Sequence, residues 1–261
     1  MTTAAMHIAR TGLDAQDTRM RVISNNLANV NTTGFKRDRA AFETLSYQVV
    51  TAAGANSTAE TRYATGLNLG TGVRVQGTAR IDTQGSMNQT GNSLDLALDG
   101  DGYFQVQLPG GQLGYTRAGN FSRSPEGTLI TSEGYQVMPG ITVPEGATQI
   151  TIGGDGTVSA TVGGQTSQLG QIQVASFPNA AGLQSGGDNY LMETVASGAA
   201  NLGVAGQDGR GQVRQGMLEA SNVNVVEELV DMIETQRAYE VNSKMISATD
   251  DMLKYVNQNL S

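Results

Sequence analysis

The sequence predicts an α+β protein in which long N- and C-terminal helices pack as a coiled-coil-like core, with a mainly β central domain between them. Two observations support this fold class. Apolar residues recur every seven positions near both chain ends, which is the spacing of a seam between packed helices. The middle of the chain alternates short β-type runs with Gly, Asn and Asp turns, and such turns typically connect strands.

The N-terminal helix is predicted from a seven-residue repeat that begins at Met6. Its seam consists of Met6, Leu13, Met20 and Leu27, with Ile23 and Val30 at companion positions. The segment from Asn31 to Gly34 closes the helix, because glycine readily adopts the left-handed conformation that ends a helix.

Three asparagines flank this seam, namely Asn25, Asn26 and Asn29. Asparagine is a below-average helix former, because its side chain competes for nearby backbone hydrogen bonds. An unmatched buried amide costs roughly 1 to 3 kcal/mol. We therefore predict that these amides penalise wrong pairings where neighbouring helices meet.

Between the helices, residues 70–216 read as strands and turns, and 43–68 as an extended or hairpin-like excursion. Strands are predicted in 73–81, 103–108, 127–138, 147–164 and 169–177. The predicted organisation is an N-terminal helix at 1–40, the excursion at 41–70, a linking β region at 71–95 and 200–220, an outer β domain at 96–199 and a C-terminal helix at 221–261.

The C-terminal helix shows a longer version of the same repeat. Its seam consists of Val225, Met232, Tyr239, Ile246, Leu253 and Leu260. The apolar face widens in the second half of the helix through Ala238, Val241, Met245, Ala248, Met252 and Val256. Asn224 and Glu227 form a capping-box-like start, and the acidic residues Glu227, Glu228 and Asp231 suit the positive end of the helix dipole.

Both chain ends require neighbouring subunits. A pair of long helices leaves much of its apolar stripe exposed, and each buried Leu, Ile or Met contributes roughly 1.5 to 3 kcal/mol. Copies that meet head to tail without a closing symmetry form an open helical filament. The sequence thus predicts a self-polymer.

A compact basic cluster follows the first helix, with Lys36 and Arg37 beside Phe35 and Arg39 close by. One interpretation is a solvated helix exit, where cations suit the negative end of the helix dipole. The other is a contact between subunits, made to the acidic residues that begin the C-terminal helix.

Charge and composition exclude several functional classes. The net charge is −8 and basic residues form no long run, so the electrostatic footprint of a nucleic-acid-binding protein is missing. No run approaches the roughly 20 apolar residues that span a membrane. The N-terminus also lacks the apolar core of a cleaved secretory signal. These general rules alone predict a cytoplasmic protein that is not membrane-inserted.

The sequence gives little support for catalysis or for cofactor binding. His7 is the only histidine and the chain has no cysteine, so no Cys-His, multi-His or Cys-ligated metal site is expected. His7 itself is predicted to be an exposed or interfacial helix residue rather than the base of a Ser-His-Asp triad. Asp99 and Asp101 could serve a hydrolase, but turn formation explains them better. No cofactor is predicted. An extracellular β-rich adhesin or ligand-binding protein is a further alternative, although the aromatic residues of the middle region are too scattered to line a pocket.

Five stretches follow one another over nearly the whole chain. They are TGLDAQ (11–16), VISNNLANVNTTGFKRDR (22–39), LDGDGYFQVQLPGG (98–111), YTRAGNF (115–121) and SNVNVVEELVDMIETQRAYEVNSK (221–244). With them the chain resembles the flagellar rod and hook axial proteins. Chain length and FETLSYQ (42–48), followed by the excursion, make it most similar to the distal rod proteins. The alternative is another axial member, a proximal rod or hook-like subunit.

The resemblance implies a structural, non-enzymatic subunit of the flagellar drive shaft, which transmits torque to the hook and encloses the export channel. It implies the proximal rod proteins, the hook protein and the P-ring and L-ring proteins as partners. It also implies transit through the flagellar type III export apparatus without signal cleavage. The expected location is the basal-body rod that crosses the periplasm, which would replace the cytoplasmic prediction. The segment 43–68 aligns with a distal-rod insertion that contacts subunits along the axis.

Overall fold

The computed structural model describes residues 2–54 and 64–260. Its chain divides into two compact units, each assembled from distant segments. The first unit comprises Met1–Leu27, Asp38–Ala79 and Val225–Ser261, and the second comprises Ala28–Arg37 and Arg80–Asn224. Long helices at both ends and a β-rich middle confirm the predicted α+β class.

The first unit is built on the two terminal helices. They are α1 (Thr2–Ala28) and α2 (Val225–Leu260). The second helix begins where its acidic first turn predicted, whereas α1 ends three residues before Asn31. Thr32 explains this early end, because its backbone N–H bonds the Asn29 carbonyl and its hydroxyl bonds the Asn29 side chain, both at 3.1 Å. Such local bonds compete with helix continuation.

Among the described residues, the first unit also contains four strands. They are β1 (Asp38–Thr44), β2 (Tyr47–Thr51), β3 (Leu67–Gly70) and β4 (Val73–Arg80). Strand β1 pairs with β4, and β2 pairs antiparallel with β3, with Tyr47 opposite Gly70. The described part of the 43–68 excursion is therefore a strand pairing, while its central residues 55–63 lie outside the described residues.

The second unit is mainly β. Its strands are β5 (Met87–Gln89), β6 (Leu96–Asp99), β7 (Tyr103–Gln107), β8 (Leu113–Thr116), β9 (Ser122–Arg123), β10 (Leu129–Ile130), β11 (Gln136–Val137), β12 (Ala147–Ile152), β13 (Thr157–Val162), β14 (Gln165–Gln171), β15 (Gln173–Ser176), β16 (Gln184–Gly187), β17 (Tyr190–Met192), β18 (Asn201–Val204), β19 (Gln212–Gln215) and β20 (Met217–Glu219). Nine of them form one sheet in the order β16-β17-β8-β7-β11-β10-β9, with β15 joining β7 to β18. The others form the meander β12-β13-β14 and the pairs β6-β19 and β5-β20.

The main core of the second unit lies around β6, β7 and the strands that face them. Leu96, Leu98, Phe104 and Val106 are fully buried. The rings of Phe104 and Phe121 meet edge to face with centroids 5.1 Å apart, a favoured aromatic geometry. The runs predicted as strands from their β-branched and aromatic content all contain strands.

Candidate subunit interface

The terminal helices pack against each other through polar pairs. A guanidinium nitrogen of Arg19 lies 3.1 Å from Asp231 Oδ1, and Asn26 Nδ2 donates to Glu228 Oε2 at 3.2 Å. Both α1 residues precede their partners by about two hundred positions, so the contact depends on tertiary structure. Moving back along α1 from residue 26 to 19 advances α2 from 228 to 231. The helices therefore run antiparallel.

A close approach continues this contact along the helices. The side-chain amide of Asn242 lies over Gly12, where an added Cβ would come within 3.1 Å of Asn242 Nδ2. Thr235 is fully buried on the same side of α2 and donates its hydroxyl to the Asp231 carbonyl. The face of α2 that meets α1 is thus rich in polar side chains.

Asn26 connects three segments of the first unit. Its side chain is 1% exposed. Asp38 N–H donates to Asn26 Oδ1 at 3.0 Å, and Asn26 Nδ2 donates to the Asp38 carbonyl at 2.9 Å. The third bond, to Glu228, reaches α2. Because a buried amide is tolerated only when its hydrogen bonds are made, Asn26 specifies where β1 and α2 meet the end of α1.

A different face of α2 is apolar and exposed to solvent. We call this face the outer stripe. Its residues are Val230, Ile233, Val241, Met245 and Met252, each 50–61% exposed. At 100° per residue, the outer stripe lies roughly 130° around the helix from the face that contains Glu228, Thr235 and Asn242. This helix therefore has two separate contact faces.

The predicted interface residues occupy three classes of burial. Four are buried, namely Ile23, Asn26, Lys36 and Glu228. Three are exposed, namely Asn25, Val225 and Tyr239. The half-buried ones are Met6, Leu13, Met20, Leu27, Asn29, Val30, Phe35, Arg37, Met232, Ile246 and Leu253. Their role between subunits stays a prediction.

Sequence reasoning assigned only part of the outer stripe. Val241, Met245 and Met252 belong to the apolar widening in the second half of the helix, but Val230 and Ile233 were missed. Their separation by three residues, and that of eight residues between 233 and 241, are helical spacings and were the signal that could have identified them.

Not every residue of the basic cluster is available to solvent or to another subunit, because Lys36 is buried within its own chain. Lys36 is 5% exposed, and its ammonium donates to Glu219 Oε1 at 2.6 Å and to the Thr83 carbonyl at 2.8 Å. Arg117 binds the other carboxylate oxygen of Glu219 at 3.2 Å. Burial lowers the pKa of Lys36, and the Glu219 carboxylate opposes this shift.

The buried partner of Lys36 changes the earlier hypothesis for the cluster. Glu228, offered as its acidic partner, is 3% exposed and accepts a bond from Asn26 of its own chain. Glu228 is thus bonded within its own chain, and a contact of the basic cluster with acidic residues of another copy stays a prediction.

Gly34 shows why the loop after α1 contains a glycine. Its φ is +68°, and an added Cβ would lie 2.5 Å from the backbone carbon of Arg117. Its N–H donates to the Glu219 carbonyl at 2.8 Å. The predicted glycine at this position thus serves a close backbone approach in the second unit.

Tyr103 lies beside the buried charge cluster formed by Lys36, Arg117 and Glu219. Its hydroxyl donates to Asp82 Oδ1 at 3.1 Å, and the Arg117 guanidinium carbon lies 5.4 Å from its ring centroid. Burial, followed by the negative charge of Asp82, raises the pKa of Tyr103 well above 10.0. Burial also raises the pKa of Tyr190.

We expect the second unit to lose stability as the pH rises above about 10. In this range the unfolded chain releases the tyrosine proton, whereas the folded chain keeps it. For each tyrosine with a raised pKa, the free energy of unfolding should therefore fall by up to about 1.4 kcal/mol per pH unit. Tyr103→Phe and Tyr190→Phe should each flatten this dependence in urea unfolding between pH 9 and 11, a range around the ordinary tyrosine pKa of about 10. A slope equal to that of the parent protein in both variants would contradict the assignment.

The carboxylates that could have suggested hydrolysis have structural partners. Asp99 forms an ion pair with Arg214 at 3.0 Å, and Asp101 forms a backbone bridge with Arg210, with its carbonyl accepting the Gly211 N–H at 2.7 Å. Over residues 2–54 and 64–260, no group of three or more acidic or histidine side chains could hold a metal ion. In the same part of the chain, neither helix is long and apolar enough to cross a membrane.

Three families match successive parts of the chain. Residues 6–36 match the flagella basal body rod protein family, residues 97–160 the flagellar hook protein FlgE/F/G D1 domain, and residues 214–259 the flagellar basal body rod FlgEFG protein C-terminal family.

Full-length relatives agree with these matches. The flagellar basal-body rod protein FlgG of Buchnera aphidicola is 51% identical over 97% of this chain and 98% of its own length. FlgG of Caulobacter vibrioides is 47% identical over 97% and 98%. FlgF of the same organism is 35% identical over 92% of each chain. Within one organism, the similarity therefore favours FlgG over FlgF.

Proposed function

This chain belongs to the flagellar basal-body rod protein family, in its FlgG branch, and we propose that its copies polymerise through the terminal helices into the distal rod. The family is structural, and the chain is a rod subunit rather than an enzyme. The observation that carries the polymerisation is the outer stripe of α2, which is half exposed or more along its length.

The two faces of α2 support this proposal. Its polar face contacts α1 of the same chain through Glu228 and Asp231. Its apolar outer stripe does not take part in those contacts. Removing apolar surface from water is worth about 25 cal/mol per Å², so regular contacts between copies would stabilise a long assembly.

In the assembled rod, segments 1–40 and 221–261 form the inner core that surrounds the export channel, and 96–199 forms the outer domain. The rod transmits torque to the hook. Its partners are other copies, the proximal rod proteins, the hook protein and the P-ring and L-ring proteins. The subunit arrives through the flagellar type III export apparatus without a cleaved signal. The exposed pairing of β2 with β3 suits a contact along the rod axis.

Electron microscopy of basal bodies from a strain that lacks this chain tests the proposal. We expect rods that stop before the hook, and a return of complete rods when the chain is supplied from a plasmid. Complete rods with hooks in the deletion strain would contradict the distal-rod assignment. Rods that lack their proximal part would instead favour the other axial members.

A further inference from the structure

The orientation of α2 about its own axis requires an explanation. Its outer stripe faces solvent, although α1 has apolar side chains of its own at Leu13, Met20 and Leu27, which are only half buried. Apolar burial alone would favour turning the outer stripe onto α1. Some other interaction must oppose that rotation.

The opposing contacts recur every seven residues along α1. Gly12, Arg19 and Asn26 share one helical position, and they meet Asn242, Asp231 and Glu228 of α2 respectively. This line runs directly beside the apolar seam residues at 13, 20 and 27. Each contact involves a polar side chain, so each is sensitive to the rotation of α2.

We propose that Asn26 and Arg19 are orientation-determining residues: through Glu228 and Asp231 they fix the rotation of α2, and so direct its outer stripe to a second copy of this chain. Only the statement that the outer stripe contacts a second copy of this chain rests on the proposed function. The orientation itself is a property of the single chain.

Rotation by one residue position shows how these contacts select one arrangement. It would turn α2 by about 100° and bring Val241 to the place of Asn242 over Gly12. Asn26 would then lose its carboxylate acceptor while buried, and Arg19 would lose its ion pair. A single polar residue in a helix seam selects one register for this reason, at a cost in stability.

The absence of cysteine in the chain permits a clean measurement. Asn242 Cγ lies 3.3 Å from the position of a Cβ on residue 12, so Gly12→Cys with Asn242→Cys is within disulfide reach. The pair Gly12→Cys and Val241→Cys forms a disulfide only in the rotated helix, at nearly the same position along the helix axis. The yield ratio of these two intrachain disulfides, read as monomer bands on a gel, measures the orientation.

In the parent background, the disulfide between residues 12 and 242 should form in at least about tenfold higher yield than the disulfide between residues 12 and 241. A tenfold ratio corresponds to the loss of one charge-assisted hydrogen bond in the rotated helix. Arg19→Asp or Asp231→Arg should lower the ratio several-fold, because each places like charges together while the Asn26–Glu228 bond remains. The combined swap should restore the preference. Arg19 and Asp231 are each more than a third exposed, so these variants are expected to fold.

Two further variants sharpen the test. Asn26→Asp should also lower the ratio, and adding Glu228→Gln should raise it again by supplying a donor. Arg21→Asp removes an ion pair with Asp17 within α1 and should leave the ratio unchanged. An unchanged ratio in the single variants, or no recovery in the swap, would overturn the proposal. Because the readout is intrachain, it fails or succeeds independently of whether the protein polymerises.

Discussion

Replacing Glu219 with glutamine is expected to lower the free energy of unfolding of the second unit by about 3 to 5 kcal/mol, the cost of breaking a buried ion pair. Glu219 is fully buried in the side chain and accepts bonds from Lys36, Arg117 and the Gly85 N–H. Glutamine keeps the shape but removes the charge, so two buried cations lose their common partner. Urea unfolding followed by circular dichroism measures the change.

A second substitution separates lost charge from lost packing. Lys36→Met combined with Glu219→Gln should recover about half of the loss, since it removes one of the two buried cations that Glu219→Gln leaves without a carboxylate. Asp99→Asn is the matched control, because the Asp99–Arg214 pair is about half exposed and such pairs contribute roughly 0 to 1 kcal/mol. Equal effects of Glu219→Gln and Asp99→Asn would show that the buried cluster is not important for stability.

A charge in the outer stripe is expected to prevent polymerisation without unfolding the subunit. Ile233 is 50% exposed in the single chain, so Ile233→Glu leaves the helix pair intact. In a packed contact between copies the new carboxylate would be buried without a partner, which costs several kcal/mol. The concentration at which purified protein begins to sediment as polymer should therefore rise by at least about a hundredfold, equivalent to roughly 3 kcal/mol.

Ser243→Glu adds the same charge to an exposed position of α2 away from the outer stripe. Its polymerisation should match that of the parent protein. If Ile233→Glu polymerises normally and Ser243→Glu does not, the contact between copies uses another face of α2.

The terminal helices were predictable because their signals are local. The capping-box-like start at Asn224 agrees with the first residue of α2, Val225, although the predicted helical segment was given from 221. The end of α1 was placed too late, because the Asn29–Thr32 bonds form a turn there. Helix ends depend on individual hydrogen bonds, which a periodic pattern does not contain.

The asparagines show where sequence reasoning stopped. It recognised that Asn26 is unusual beside an apolar seam and assigned it to register between helices. It could not identify Glu228 and Asp38 as its partners. It treated Lys36 as part of a surface or interface cluster, although its partner Glu219 is buried near the other end of the chain.

The sequence by itself determined the fold class, the two helical ends and the family, because periodicity, turn residues and long motifs are properties of neighbouring positions. Only the tertiary structure decided which face of α2 meets α1 and which charges are buried. Asn26 and Glu228 are 202 positions apart, and Lys36 and Glu219 are 183 apart. Many carboxylates could satisfy the same amide or ammonium, and the folded chain brings one of them within hydrogen-bond distance.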